Sequence, residues 1–354
     1  MKKPEVSVIM SAFNHERFVK SAIHSVLSQQ GVDIEFLIAD DGSTDKTSLA
    51  IKSVKDPRIK FFPQKTNKGA SYVTNKLISL AKAPYIAVIN SDDLWNSSVK
   101  LKKQLEFLDN NKMYGACFTK AKFIDSLGNA IEKKTLPFGD VFDQHNRSRF
   151  EWFNHFFYKG NCLCHPSVLI RKKCYGLLGK YSYSLRQLPD FEMWIRLVKF
   201  YEIHIIDEEL LSFRIDKGKN TSTPSKSNNS RVLMEHFLIA NNLFDSIKVN
   251  YLKESFPSEI KFQKRITSSH LEIEKAFIMI NDRRDELSKI YNLVGLSKLH
   301  NLLNNPQQKK ILRKDYFFDE RDYYRKTSTV EYFERNTPPS IYLQAKNLIR
   351  SIIY

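Results

Sequence analysis

Three acidic clusters stand out in this 354-residue chain: Asp40-Asp41, Asn90-Ser91-Asp92-Asp93, and Asp190. Adjacent carboxylates repel one another, and holding them together costs energy unless a cation is shared. Oxygen-only donors suit Mg2+ or Mn2+, ions that bridge protein carboxylates to substrate phosphates, so Asp92 and Asp93 can hold a metal. An Asp-rich turn is the plainer alternative. Asp40-Asp41 leads into Gly42-Ser43-Thr44-Asp45, residue types that serve turns and helix caps. Two successive acids exceed what a cap needs, and a carboxylate there can accept the ring N–H of a uracil. Asp190 follows Pro189 and precedes an apolar pattern at helical spacing. It can cap that helix, or act as general base if an acceptor hydroxyl comes within hydrogen-bond reach.

The elements that must position these acids alternate along the first part of the chain. Residues 6–11 form a short apolar run. Asn14 offers an N-cap to a helix carrying Val19, Ala22, Ile23, Val26 and Leu27, closed by Gly31. Residues 34–39 read as a second strand, 59–62 as a third and 85–89 as a fourth, the last after a helix over 71–81. Such alternation predicts βαβ units and a mostly parallel α/β sheet with helices on both faces. Ligands of such sheets lie outside the carboxyl ends of the strands. The polar clusters after strands one, two and four all fall on that edge.

The pattern changes near Ala116. Residues 116–124, the turn Ser126-Leu127-Gly128-Asn129, residues 167–170, 203–206 and 210–215 predict further strands, expected to include antiparallel pairs. Helices are expected over 150–158 and around Phe191, Trp194, Ile195 and Val198. Residues 216–230, almost all Lys, Ser, Thr and Asn, read as a linker or loop. Beyond them the chain reads as mainly helical to its end. The predicted division is therefore a 1–225 α/β domain and a 226–354 helical region.

Composition narrows the function classes. The formal net charge is +17, and basic excess favours phosphate-bearing partners. Residues 226–354 carry 22 basic and 15 acidic groups, so the charge is spread and forms no dense arm. With no zinc-finger spacing and no aromatic RNA-binding signature, nucleic acid is not an expected partner. No run reaches the roughly 18 apolar residues of a spanning helix, and the start lacks a signal-peptide core. Four cysteines make no disulfide scaffold, which favours a reducing cytoplasm. Cys162, Cys164 and His165 lack a second ligand pair for zinc.

Taken together and in order, the motifs resemble family 2 inverting glycosyltransferases of the bacterial surface-polysaccharide type. Ser7-Val8-Ile9-Met10-Ser11-Ala12-Phe13-Asn14 is similar to the family's opening strand and turn. Leu37-Ile38-Ala39-Asp40-Asp41-Gly42-Ser43-Thr44-Asp45 resembles its most recognisable motif. Asn67-Lys68-Gly69-Ala70 with Asn75 and Asn90-Ser91-Asp92-Asp93-Leu94-Trp95 resemble its next two segments. His165-Pro166-Ser167 and Asp190-Phe191-Glu192-Met193-Trp194 are similar to its acceptor-side and base motifs. The resemblance covers residues 4–215 and implies the Rossmann-like GT-A fold.

It further implies a nucleotide-sugar donor bound by Ser11, Asp40, Asp41, Lys68 and Asp92, a Mn2+ or Mg2+ ion on Asp92 and Asp93, and Asp190 as base. The implied acceptor is a glycan or lipid-linked hydroxyl, reached from the cytoplasm and from the inner membrane face. Two departures bear on this: Asn90 stands where many members carry Asp, and Pro189 replaces an acid before the base. A non-catalytic nucleotide-sugar-binding protein on the same fold is the rival reading. A nucleotidyltransferase would need a Gly-rich loop after strand one, and Ser11-Ala12-Phe13-Asn14-His15-Glu16 has no glycine. The basic helical region is expected either to meet a membrane surface or to pair with a second copy.

Overall fold

The computed structural model describes residues 3–216, 223, 225–281 and 285–328. In chain order the first part runs β1 (Val6–Ala12), α1 (Val19–Leu27), β2 (Ile34–Asp40), α2 (Thr47–Ser53), β3 (Ile59–Phe61), α3 (Ala70–Leu80) and β4 (Tyr85–Asn90). There follow β5 (Leu94–Trp95), α4 (Lys100–Asn110), β6 (Tyr114–Ile124), β7 (Ala130–Ile131), α5 (Arg149–Lys159), β8 (Leu169–Arg171), α6 (Lys172–Leu178), α7 (Pro189–Val198) and β9 (Glu202–Arg214). All the strands join one sheet in the order β3-β2-β1-β4-β8-β6-β9-β5, with β7 beside β6.

The β3-β2-β1-β4 half is parallel, as the alternating pattern requires. Its central strands are apolar on both faces because helices cover both: Val6, Val8, Met10, Phe36, Ile38 and Ala87 share one core with Ala22, Ile23 and Val26 of α1. Beyond β4 the sheet is mixed, since β8 runs antiparallel to β4 and β6 while β6 and β9 run parallel. Sequence suggested two short strands over 203–215. They are one strand, β9, whose register against β6 shifts around Lys120. That irregularity accommodates the exposed acids Asp207, Glu208 and Glu209, which hid the continuity.

The chain divides into two compact units, Met1–Pro257 and Ser258–Tyr354. Helices α8 (Lys226–Asn242) and α9 (Val249–Ser255) belong to the first, beyond the cut read from sequence at 225. They are tied in by Tyr251, whose hydroxyl donates to Val198 O (2.8 Å), and by an aromatic cluster of Phe153, Phe157, Phe244 and Phe256. The second unit contains α10 (Ser268–Met279), α11 (Glu286–Leu303), α12 (Pro306–Asp315) and α13 (Glu320–Thr327) around Ile273, Phe277, Leu299 and Leu312. The predicted linker lies partly outside the described residues, as does everything after Ser328. No helix among the described residues is long and apolar enough to cross a membrane.

Candidate active site

Register brings the first acids together. Ser11 pairs with Ala39 on one side and Asn90 on the other, and Ala12 pairs with Asp40. Asp40 Oδ1 accepts the Ser43 amide (3.1 Å) and the Ser43 hydroxyl, which rounds off the turn after β2. Asp41 is 2% exposed; its Oδ1 accepts from Lys68 N (2.7 Å) and its Oδ2 from Gly69 N (2.9 Å). Burial pushes its carboxyl up while the two amides pull it back. Lys68 therefore meets Asp41 through its backbone. Gly42 makes the approach of these loops possible: it sits at φ +73°, and a Cβ there would lie 2.7 Å from Asn67 N. Asn14, expected to cap α1, instead adopts φ 53°, and its side chain accepts from Thr44 N (2.9 Å). Its role is to pin the β1 turn to the β2 turn.

At the end of β4 the two acids divide in environment. Asp93 is 1% exposed, with Oδ2 accepting from Asn90 Nδ2 (2.9 Å) and Oδ1 from Arg214 N (2.8 Å). Asp92, 9% exposed, has Oδ1 4.0 Å from His15 Nδ1, and that nitrogen is 2.7 Å from Ser91 Oγ. Burial raises the pKa of both acids, and the negative charge of Asp92 raises that of Asp93 further. Arg214, at the end of β9, donates to the backbone oxygens of Asp92 (2.7 Å) and Asp125 (2.6 Å) and lies over the Phe18 ring. It builds the frame around the acids. Among the described residues no group of three or more His, Cys, Asp or Glu side chains is placed to hold a metal. Both Asp93 oxygens are engaged by Asn90 and Arg214, which leaves Asp92 as the less buried hard oxygen donor, one that fits Mg2+ or Mn2+ only when phosphate and water complete the shell.

Asp190 occupies the first turn of α7, after Pro189, and is not the N-cap, which is Leu188. Its Oδ1 accepts from Phe191 N (2.8 Å) and its Oδ2 from Asn161 Nδ2 (2.9 Å). The proline fits the first helical position because the amide it lacks would have no partner there. Beside it, His165 Nε2 lies 2.9 Å from the Tyr181 hydroxyl, which lies 3.1 Å from that of Tyr175. Burial lowers the His165 pKa, against the attraction of Asp190. The Cys164 thiol is held up mainly by burial, then by the charges of Asp93 and, more weakly, Asp190. Asp93 and Asp190, 97 residues apart along the chain, thus both act electrostatically on the same cysteine. Trp194 is fully buried with its ring edge-on to Phe118 (4.9 Å), a packing role. All four cysteines are buried and free.

His15 and Asn161 escaped the sequence reading. A single polar residue in a loop carries no spacing signal, and only the meeting of β1 with β4, and of the 161 loop with α7, gives either a partner.

A mixed, half-parallel sheet with acids at the carboxyl ends of β2 and β4 and a third acid opening α7 is the GT-A architecture of glycosyltransferases. Staphylococcus aureus TarS in complex with UDP-GlcNAc shares it at a TM-score of 0.56 and 16% identity, over 94% of this chain and 93% of that one. A Pyrobaculum calidifontis mannosyltransferase in complex with GDP-Man and Mn2+ aligns at 0.52 and 11% identity, over 93% and 84%. In sequence, the Glycosyl transferase family 2 profile matches residues 7–176. An uncharacterised glycosyltransferase of Methanocaldococcus jannaschii is 32% identical over 225 residues, 62% of this chain and 74% of the relative. An Escherichia coli UDP-Glc:alpha-D-GlcNAc-diphosphoundecaprenol beta-1,3-glucosyltransferase is 37% identical over 109 residues, 31% of this chain and 43% of the relative. The chain belongs to glycosyltransferase family 2 and is a glycosyltransferase.

Proposed function

We propose that the α/β domain, assigned to residues 1–225, transfers a hexosyl or N-acetylhexosaminyl group from a UDP-sugar to a hydroxyl of a glycan or lipid-linked acceptor, with inversion. The observation that carries this is the register of the parallel strands, which sets Ser11 between Ala39 and Asn90 so that Asp40–Asp41 after β2 and Asp92–Asp93 after β4 flank the end of β1 at one edge of the sheet. Ser11, Asp40 and Asp41, with the Lys68–Gly69 loop that Asp41 anchors, would receive the nucleoside. Asp92 would offer a carboxylate oxygen to Mg2+ or Mn2+, with Asp93 held behind it by Asn90 and Arg214. When bound, the ion neutralises charge on the leaving diphosphate. Asp190 would take the acceptor hydroxyl proton as the acceptor oxygen bonds to the anomeric carbon. As that bond forms on one face, the bond from the carbon to the diphosphate oxygen breaks on the other, and its electron pair leaves with UDP.

The donors named for the relatives, UDP-Glc and UDP-GlcNAc, support the nucleotide; a GDP-sugar is named for one structural neighbour. A thermal-shift screen of UDP- and GDP-sugars with Mn2+, paired with UDP release, tests the reading, because a ligand of the folded state raises its melting temperature. Asp92→Asn should abolish the Mn2+-dependent part of the shift and most turnover. Unchanged turnover in that variant, or in excess EDTA, would overturn the metal assignment. A shift without turnover for any acceptor would favour the non-catalytic binder. We infer for the second unit a cytoplasmic, peripheral attachment to anionic membrane, through Lys310, Lys314 and neighbouring basic residues of α12.

A further inference from the structure

Glu235 lies on α8, past the last residue of the family match and past the sequence-based domain cut. It is 3% exposed, and its carboxylate accepts three consecutive backbone amides: Arg186 N on Oε1 and Gln187 N and Leu188 N on Oε2, each at 2.8 Å. A buried carboxylate is expensive unless fully hydrogen-bonded, and bonds from amides to a charged acceptor are stronger than neutral ones. The three amides immediately precede Pro189 and Asp190. Leu188 is the N-cap of α7 and Pro189 has a fixed φ, so little freedom separates the clamped amides from the Asp190 Cα. Two further contacts join α8 to this segment: Gln187 Nε2 donates to Asn228 Oδ1 (3.2 Å), and the His236 ring meets that of Phe191 at 5.7 Å.

We propose that Glu235 is a positioning residue for the base: its carboxylate clamps the 186–188 backbone and thereby sets where Asp190 meets the acceptor hydroxyl. The proposal rests on Asp190 being the base. It makes α8 part of the catalytic apparatus, although no chemistry-bearing motif marks it. A clamp of this kind acts on the acceptor side alone. Its loss should lower turnover without weakening the hold on the nucleotide, which depends on loops at the ends of β2 and β4.

The test uses the full chain and three variants, Glu235→Gln, Glu235→Asp and Asp190→Asn. UDP release from UDP-GlcNAc or UDP-glucose with Mn2+ is measured beside UDP affinity by calorimetry and amide hydrogen exchange. Gln keeps the shape but faces an NH2 toward backbone donors; Asp keeps the charge on a shorter arm. Expected for E235Q is a kcat at least tenfold lower, UDP affinity within twofold of wild type, and faster exchange confined to peptides spanning 186–190. E235D should recover part of the kcat. Equal exchange at 186–190 in E235Q and wild type would overturn the clamp whatever the activity. So would a loss of UDP affinity matching the loss of kcat, which marks a general structural role. If Asp190→Asn abolishes turnover while E235Q retains it, the clamp fails and the base assignment stands. If Asp190→Asn retains full turnover, the base assignment fails and the clamp with it.

Discussion

Asp190→Asn separates two roles that the carboxylate combines. Structurally, Asn keeps the bond from Phe191 N to Oδ1 but places an NH2 against the Asn161 NH2, now held at 2.9 Å by Oδ2. Asn161 cannot turn its amide over without giving up the bond its Oδ1 accepts from Leu163 N (3.2 Å). One hydrogen bond to a charged acceptor is lost, worth about 1.5–3 kcal/mol and less at a partly exposed site. Charge at the N-terminus of α7 is lost as well, about 0.3–1 kcal/mol. A total near ~2 kcal/mol lowers the melting temperature of a unit this size by about 4–8 °C. Chemically, loss of a general base lowers kcat by about 10²–10⁴, or roughly 3–5.5 kcal/mol on the barrier. The two figures are separable, since at 25 °C the variant stays folded and its kcat reports chemistry alone. Differential scanning fluorimetry and UDP release on one preparation measure both. A melting temperature lowered by several degrees with kcat within threefold of wild type would refute the base assignment and leave only a helix-stabilising acid.

Two other expectations follow from buried and surface lysines. Lys100 is fully buried, donating to Gln104 Oε1 (2.7 Å) and Ser167 O (2.9 Å), and burial pushes its ammonium down to about 7. Between that value and the unfolded value of about 10.4 the unfolded chain binds the extra proton, so stability should rise with pH at up to ~1.4 kcal/mol per unit. Burial holds Cys117, Cys162 and Cys174 up at about 12. From roughly pH 8 upward only the unfolded chain ionises these thiols, so the slope reverses. Stability to urea from pH 6.5 to 10 should therefore peak near pH ~8, and Lys100→Met should flatten the rise; a rise unchanged in that variant would exclude Lys100 as its source. On α12, Lys310→Glu with Lys314→Glu should weaken co-sedimentation with anionic vesicles by at least ~30-fold at low salt, taking ~1 kcal/mol per basic residue. Equal binding to neutral vesicles, or none by the wild type, would remove the membrane role and leave self-association to be checked by light scattering.

The parallel half of the fold was legible because its signal is local. Residues such as Val8, Ile9 and Met10 or Phe36, Leu37 and Ile38 form apolar runs that only a strand covered on both faces accommodates, and helices of the right length separate them. The mixed half was less legible: β6 and β9 pair in parallel across nearly 90 residues, and no pattern in either strand encodes its neighbour. The acids were visible as pairs, but their division of labour was not. Nothing in Asp92-Asp93 says that one accepts from Asn90 and from the amide of Arg214 while the other faces His15. Glu235 is the extreme case. It is an ordinary acid within a helix, and its significance comes entirely from amides 47–49 residues earlier.

A single device recurs at these acids. Asp41 is held by the amides of Lys68 and Gly69, Asp93 by the amide of Arg214, Asp190 by that of Phe191, and Glu235 by those of Arg186, Gln187 and Leu188. A lysine or arginine head group in each place would also fix the carboxylate, but it would cancel its charge. Backbone amides orient the acid without setting a cationic head group against it. That matters for the proposed reaction, which needs negative charge on the protein where a cation binds and where positive charge develops at the anomeric carbon. It also reconciles an acid-lined sheet edge with a chain of net charge +17. The basic side chains are spent elsewhere: Lys60 on Glu35, Lys103 on Glu208, Lys133 on Asp143 and Glu209, Arg196 on Glu192. Arg214, which does stand beside the acids, is engaged with the backbone oxygens of Asp92 and Asp125, and the acids themselves are oriented through backbone amides within a basic protein.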